Sequence, residues 1–260
     1  VIVVVGLLSP LPNGYVNWGR YSQLAGQAIM PVAVWLVWRW LDDDPSAGSG
    51  QAPSARGWDS LGLMALIFAG TLLTYYRMPY YVAAFAVIMT VAHALRQARR
   101  GWRVWFSPIA RLAGSGLLAL ALLWPWLQHL VGGALATAVE AGVVRGSTLE
   151  AVQREYQVFN NADALLSTGL VWLALGVLLW AALRRRSAVI ITALWGLGIL
   201  LLPAARLLRL PGANSLQGFA VLISLYIPIG LLAGFGIDAA LDWLASRGSK
   251  VRAAAVAALA

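Results

Sequence analysis

Cysteine is absent from the chain, which removes disulfides and thiolate metal ligands. Charge is scarce: Asp, Glu, Lys and Arg make up 11% of 260 residues, against about 25% in a soluble domain. Histidine occurs twice, at His93 and His129, too far apart for the i, i+4 pair of a zinc helix. Carboxylates number 10 against 19 Lys and Arg, and no DxD occurs among those outside the basic clusters. No metal site is therefore expected, and no cofactor can be named.

What fills the chain instead is apolar. Hydrophobic residues make up 60%, with 13 Trp and 8 Tyr, the two residues that favour membrane–water interfaces. The net charge of +9 would raise nucleic acid as a partner in a soluble protein. Here the basic residues fall in short clusters between apolar runs, so membrane topology explains them and membrane lipids are the expected partners.

A helix needs about 20 mostly apolar residues to cross the hydrocarbon core. Seven runs meet or approach that length, at 20–41, 58–76, 79–97, 107–131, 163–183, 187–206 and 217–244. A spanning segment must satisfy its own backbone hydrogen bonds, so each run is predicted helical. The fold class is all-α: a polytopic transmembrane helix bundle of about seven complete spans, with partial spans at both ends (1–8 and 251–260). Residues 1–260 read as one transmembrane domain, multi-pass in the cell membrane. Because it opens in VIVVVGLL and closes in VRAAAVAALA, it is expected to be a piece of a longer protein. Pro125, Pro203 and Pro228 predict kinks.

Thirteen of the 19 basic residues fall on one side of this alternation, which places WRWLDDDPSAGSGQAPSARG, RQARRGWR, LRRRS and SRGSKVR in the cytoplasm. The other side gathers 9–23, 74–81, 132–162 and 206–219. Within the outer loop 132–162, Ser147 and Glu150 have capping-box spacing. Leu149, Val152, Tyr156 and Phe159 share one face of an amphipathic surface helix predicted over 147–159, with Glu150, Gln153, Arg154 and Gln157 turned away. Glu155, beside Arg154, reads as a solvated charge. Glu140, Asp163 and His129 offer no defined role, so no general base can be named.

Six arginines lie on the outer side: Arg20, Arg77, Arg145, Arg154, Arg206 and Arg209. Snorkelling to lipid headgroups accounts for any one of them as readily as a site does. Arg145 and Arg154 read as solvated. Arg20, Arg77, Arg206 and Arg209 sit at span ends among aromatic and amide residues. A planar guanidinium suits a bidentate grip on phosphate. These four are the candidate phosphate ligands. Asn17, Gln23, Asn214 and Gln217 are candidate hydrogen-bonding partners for sugar or phosphate, and Tyr15, Trp18 and Tyr75 a candidate stacking wall. The tyrosines equally match an interfacial belt.

The stretches YVNWGRYSQLAGQAIMP, RMPYY and RLLRLPGANSLQGFAVLISLYIPIGLLAG resemble large bacterial integral-membrane proteins of the GT-C glycosyltransferase type. Their relatives include protein mannosyltransferases and oligosaccharyltransferases. The resemblance implies sugar transfer from a polyprenyl-phosphate-linked donor at the outer face, with a catalytic acid in a first outer loop. Residues 9–19 contain no acid, so that acid is expected upstream of Val1. A non-enzymatic transporter or lipid flippase is the alternative. It calls for ionisable residues midway through the spans, and those positions hold mainly Ser, Thr and Gly.

Overall fold

The computed structural model describes residues 21–42, 58–97, 102–131, 148–164, 168–184, 186–208 and 216–245. Among them there is no strand, and the fold is all-helical. Helix α1 is Tyr21–Asp42, α2 Trp58–Thr74, α3 Met78–Gln97, α4 Trp102–Leu122 and α5 Trp124–Val131. Helix α6, Leu149–Tyr156, continues as a 3-10 segment, Gln157–Ala164. Helix α7 is Thr168–Leu183, α8 Ser187–Leu201 with a 3-10 extension Leu202–Leu208, α9 Gly218–Ser224 and α10 Tyr226–Ala245.

Each of the seven predicted runs is mainly helical over its described part, with Tyr75 and Tyr76 in the turn after α2, turns at Leu123 and Leu225, and Gln217 ahead of α9. Among the described residues four stretches are long and apolar enough to cross a membrane: Ser22–Leu41, Met78–Gln97, Ser187–Leu208 and Gly218–Leu244. The apolar stretches Leu61–Thr74, Ile109–Leu122 and Thr168–Leu183 are shorter. Leu61–Thr74 rises roughly 21 Å at 1.5 Å per residue, less than the ~30 Å of an average hydrocarbon core. Helix α4 itself has 21 residues, but Arg103 and Arg111 interrupt its apolar character in the first half.

Proline sets the breaks. Its ring clashes with the carbonyl four residues back and it offers no N–H. Accordingly the chain turns at Leu123 ahead of Pro125 and at Leu225 ahead of Pro228, and α8 tightens to 3-10 geometry at Leu202, beside Pro203. Pro31 lies inside α1, which continues through it.

The main core joins α1, α3, α8 and α9. Met30, Val37 and Leu41 pack with Met78, Tyr81, Phe85 and Met89, and with Trp195, Ile199 and Val221. Trp195 meets Phe85 edge-on at 5.4 Å between ring centroids, and its indole N–H donates to the Tyr81 carbonyl at 2.9 Å. The indole thereby satisfies its one donor inside an apolar core. On the periphery α2 packs against α4, and α7 against α10. Large apolar side chains project outward in helical stripes, for example Val87, Val91 and Leu95 on α3, and Trp172, Leu175, Leu179 and Leu183 on α7. Such surfaces exceed what a soluble monomer leaves in water and are those of a membrane protein. At the α1 C-terminus, buried His93 donates through Nδ1 to the Leu41 carbonyl, so its ring ties α3 to α1.

Candidate functional site

One end of the bundle brings together the turn between α2 and α3, the surface element 148–164, the 3-10 extension of α8 and the start of α9. These belong to the segments that the alternation of basic clusters assigns to a common side. The start of α1 joins them. A Cβ on Gly26 would meet Met78 Cγ at 2.8 Å and Tyr75 Cβ at 3.2 Å, so α1 approaches the turn at a residue with no side chain. Tyr226 adds a tie by donating its hydroxyl to Gln27 Oε1 at 3.3 Å.

Arg77 occupies the α2–α3 turn and is 6% exposed. One guanidinium nitrogen, Nη1, donates to the Tyr75 hydroxyl, and Nη2 donates to Gln217 Oε1 at 3.3 Å. The guanidinium carbon lies 5.4 Å from the Tyr75 ring centroid and 5.0 Å from that of Tyr76, within cation–π range. Nε is buried with no hydrogen-bond partner among the described residues. Among the described residues no carboxylate pairs with Arg77. The group is thus a buried cation held by neutral oxygens and ring faces, with Gln217 and Tyr76 beside it exposed.

Arg206 is 8% exposed and differs in kind. Its Nη1 pairs with Glu155 Oε1 at 2.8 Å, and its Nη2 donates to the Leu216 carbonyl at 3.2 Å. The other Glu155 oxygen, Oε2, accepts from the Gly218 backbone N–H at 2.7 Å, at the first residue of α9. The expectation that Glu155 is a solvated surface charge is therefore corrected: its side chain is 23% exposed and both oxygens are engaged. The signal lay in the spacing. Glu155 stands three residues after Val152 and four before Phe159, so it falls on the apolar stripe of its own helix.

The surface helix itself forms over Leu149–Tyr156 and is capped by Thr148, whose hydroxyl accepts from the Ala151 N–H at 3.2 Å. Val152 is buried and Tyr156 and Phe159 are half-buried, while Glu150, Gln153, Arg154 and Gln157 are exposed, as the pattern predicts. Leu149 departs from the pattern and is exposed, because it is the first helical residue and lies beyond the covered stripe. Tyr156 donates to the Leu200 carbonyl at 3.0 Å, and burial pushes its phenol above the ordinary value of 10.0 against a smaller lowering by the Ala204 backbone.

Of the sequence-predicted site residues, Arg77, Tyr75 and Gln217 meet directly, and Arg206 is linked to them through the 216–218 backbone. Gln23 lies at this end of α1 at 1% exposure. Arg20, Arg209, Tyr15, Asn17, Trp18 and Asn214 lie outside the described residues, as do Ser147, Glu140 and Arg145. An apolar groove of about 250 Å³ runs between α2, α3 and α4, lined by residues including Phe68, Thr71, Pro79, Ala83, Gly116 and Leu120; neither Arg77 nor Arg206 lines it. Among the described residues no cluster of His, Asp and Glu has the makings of a metal site. No protein family, curated protein or solved structure matches the chain.

Proposed function

We propose that Arg77 binds the phosphate of a lipid-linked sugar donor, in a multi-pass protein of the cell membrane that takes part in glycosyl transfer at the outer face. The observation that carries the binding site is a buried charge with no carboxylate partner among the described residues. A buried cation without a carboxylate is costly to the fold, and buried unsatisfied polar groups are uncommon. An anion would answer both the charge and the orphan Nε–H. Phosphate suits the planar donor fork, and the Tyr75 and Tyr76 faces provide surfaces on which a sugar ring can rest. The glycosyl-transfer part of the reading is supported by the motif resemblance around 15–31 and 206–234.

In this reading all seven apolar helical regions span, with 42–57 and 98–106 cytoplasmic and 132–162 outside. The absence of cysteine permits a direct check. A cysteine introduced near residue 150 should be labelled from outside intact cells and one near residue 50 should be protected; the reverse pattern inverts the topology. For the site, wild-type protein in nanodiscs should bind a polyprenyl phosphate, and Arg77→Met should weaken that binding by about tenfold or more, the loss of one charge-assisted hydrogen bond. Equal binding by wild type and Arg77→Met removes Arg77 from the site.

A further inference from the structure

We infer that Glu155 and Arg206 are positioning residues for the Arg77 site, acting as a brace that fixes Gln217 by clamping the residues on either side of it. Three consecutive residues carry the inference. Leu216 is held through its carbonyl by Arg206 Nη2 at 3.2 Å. Gly218 is held through its N–H by Glu155 Oε2 at 2.7 Å. Between them Gln217 presents Oε1 to Arg77 Nη2 at 3.3 Å.

The two clamps belong to one ion pair, Arg206 to Glu155 at 2.8 Å, so they cannot shift independently. Gln217 is exposed and its neighbours are buried. Its side chain has little packing of its own, and its direction is set by the backbone at 216 and 218. That backbone has little freedom. A Cβ on Gly218 would lie 1.8 Å from the Glu155 carbonyl oxygen, so α9 begins in direct contact with the surface helix. The surface element 148–164 therefore reaches Arg77 through a short relay: Glu155, the 216–218 backbone, Gln217, guanidinium. Both Glu155 oxygens are committed to this role, which makes Glu155 a brace and leaves it unsuited as a general base.

For ligand binding the inference rests on the phosphate reading above; for the geometry of Arg77 it does not. The test uses both readouts on the whole chain in nanodiscs. Modification of Arg77 by phenylglyoxal, followed residue by residue by mass spectrometry, reports how well the guanidinium is held whether or not a ligand exists. Polyprenyl phosphate binding reports the site. Glu155→Gln alone leaves Arg206 unpaired and is prone to misfold. The informative variant is therefore Glu155→Gln/Arg206→Met, which removes both charges together. Arg206→Lys, which keeps the charge but loses the fork, serves as a second variant.

In the double variant Arg77 should react about tenfold faster, the loss of roughly one hydrogen bond's restraint, with Arg206→Lys intermediate. Gln217→Ala should match the double variant, and combining the two should add nothing further, because both act through one contact. Simple loosening of the fold would give additive effects. Folded variants with unchanged Arg77 reactivity, or additive effects with Gln217→Ala, overturn the brace. Faster modification of Arg77 in a protein that never binds polyprenyl phosphate upholds the brace and defeats the phosphate reading instead.

Discussion

Arg77 and Arg206 lie at the same end of the bundle and are buried to nearly the same extent, yet their charges are handled in opposite ways. Arg206 is answered by a carboxylate at 2.8 Å and a carbonyl at 3.2 Å. Arg77 is answered by a phenol, an amide oxygen and two ring faces, and its Nε has no partner among the described residues. A charge that serves only the fold is normally neutralised inside it. The contrast separates an arginine neutralised within the fold from one with no carboxylate partner among the described residues, a distinction that burial alone does not draw.

The sharpest way to break the comparison is to remove each guanidinium in turn. Arg206→Met strands Glu155 in a partly buried site and should cost about 3 kcal/mol or more, read as a lower unfolding temperature in detergent. Arg77→Met removes an uncompensated charge, and its effect without ligand should be neutral or stabilising after losing about 1 kcal/mol of cation–π attraction. Equal losses in the two variants would abolish the distinction. A smaller effect sharpens the account of the brace. Thr148→Ala takes away the cap of the helix carrying Glu155 and should destabilise that helix by about 1 kcal/mol, visible as faster amide exchange over 149–156. The smallest change concerns Arg154 and Glu150, which approach to 3.9 Å with side chains 72% and 82% exposed. Arg154→Ala should alter stability by less than about 0.5 kcal/mol, which thermal unfolding at two salt concentrations can check.

Much of this architecture was legible in the residue pattern. Apolar run lengths located the helices, and Pro125, Pro203 and Pro228 located the breaks, because both follow from local backbone chemistry. The alternation of basic clusters assigned 74–81, 132–162 and 206–219 to one side, and the contacts among Arg77, Gln217, Glu155 and Arg206 join them at one end of the bundle. The partnerships themselves were not legible. The Glu155–Arg206 pair spans 51 residues of sequence and the Arg77–Gln217 contact 140; such pairing depends on how the helices pack, which periodicity does not encode. Reading Glu155 from its neighbour Arg154 obscured the better clue, its place on the stripe of Val152 and Phe159.

The shortness of the apolar stretches in α2 and α4 has a consequence for the surrounding lipid. They pack side by side, and their mainly apolar stretches, Leu61–Thr74 and the Arg111-bearing Ile109–Leu122, are each about 21 Å long by the helical rise. Where α2 and α4 cross the bilayer, as proposed above, that flank meets hydrophobic mismatch, while Gly218–Leu244 is long enough for a full span elsewhere on the molecule. The two flanks then ask for different membrane thicknesses, so the leaflets thin locally beside α2 and α4 or the longer span leans in a thinner bilayer. Reconstitution in lipids of graded acyl length should then show greatest thermal stability in chains shorter than those matching the long spans, with α2 and α4 the first to lose amide protection as the bilayer thickens.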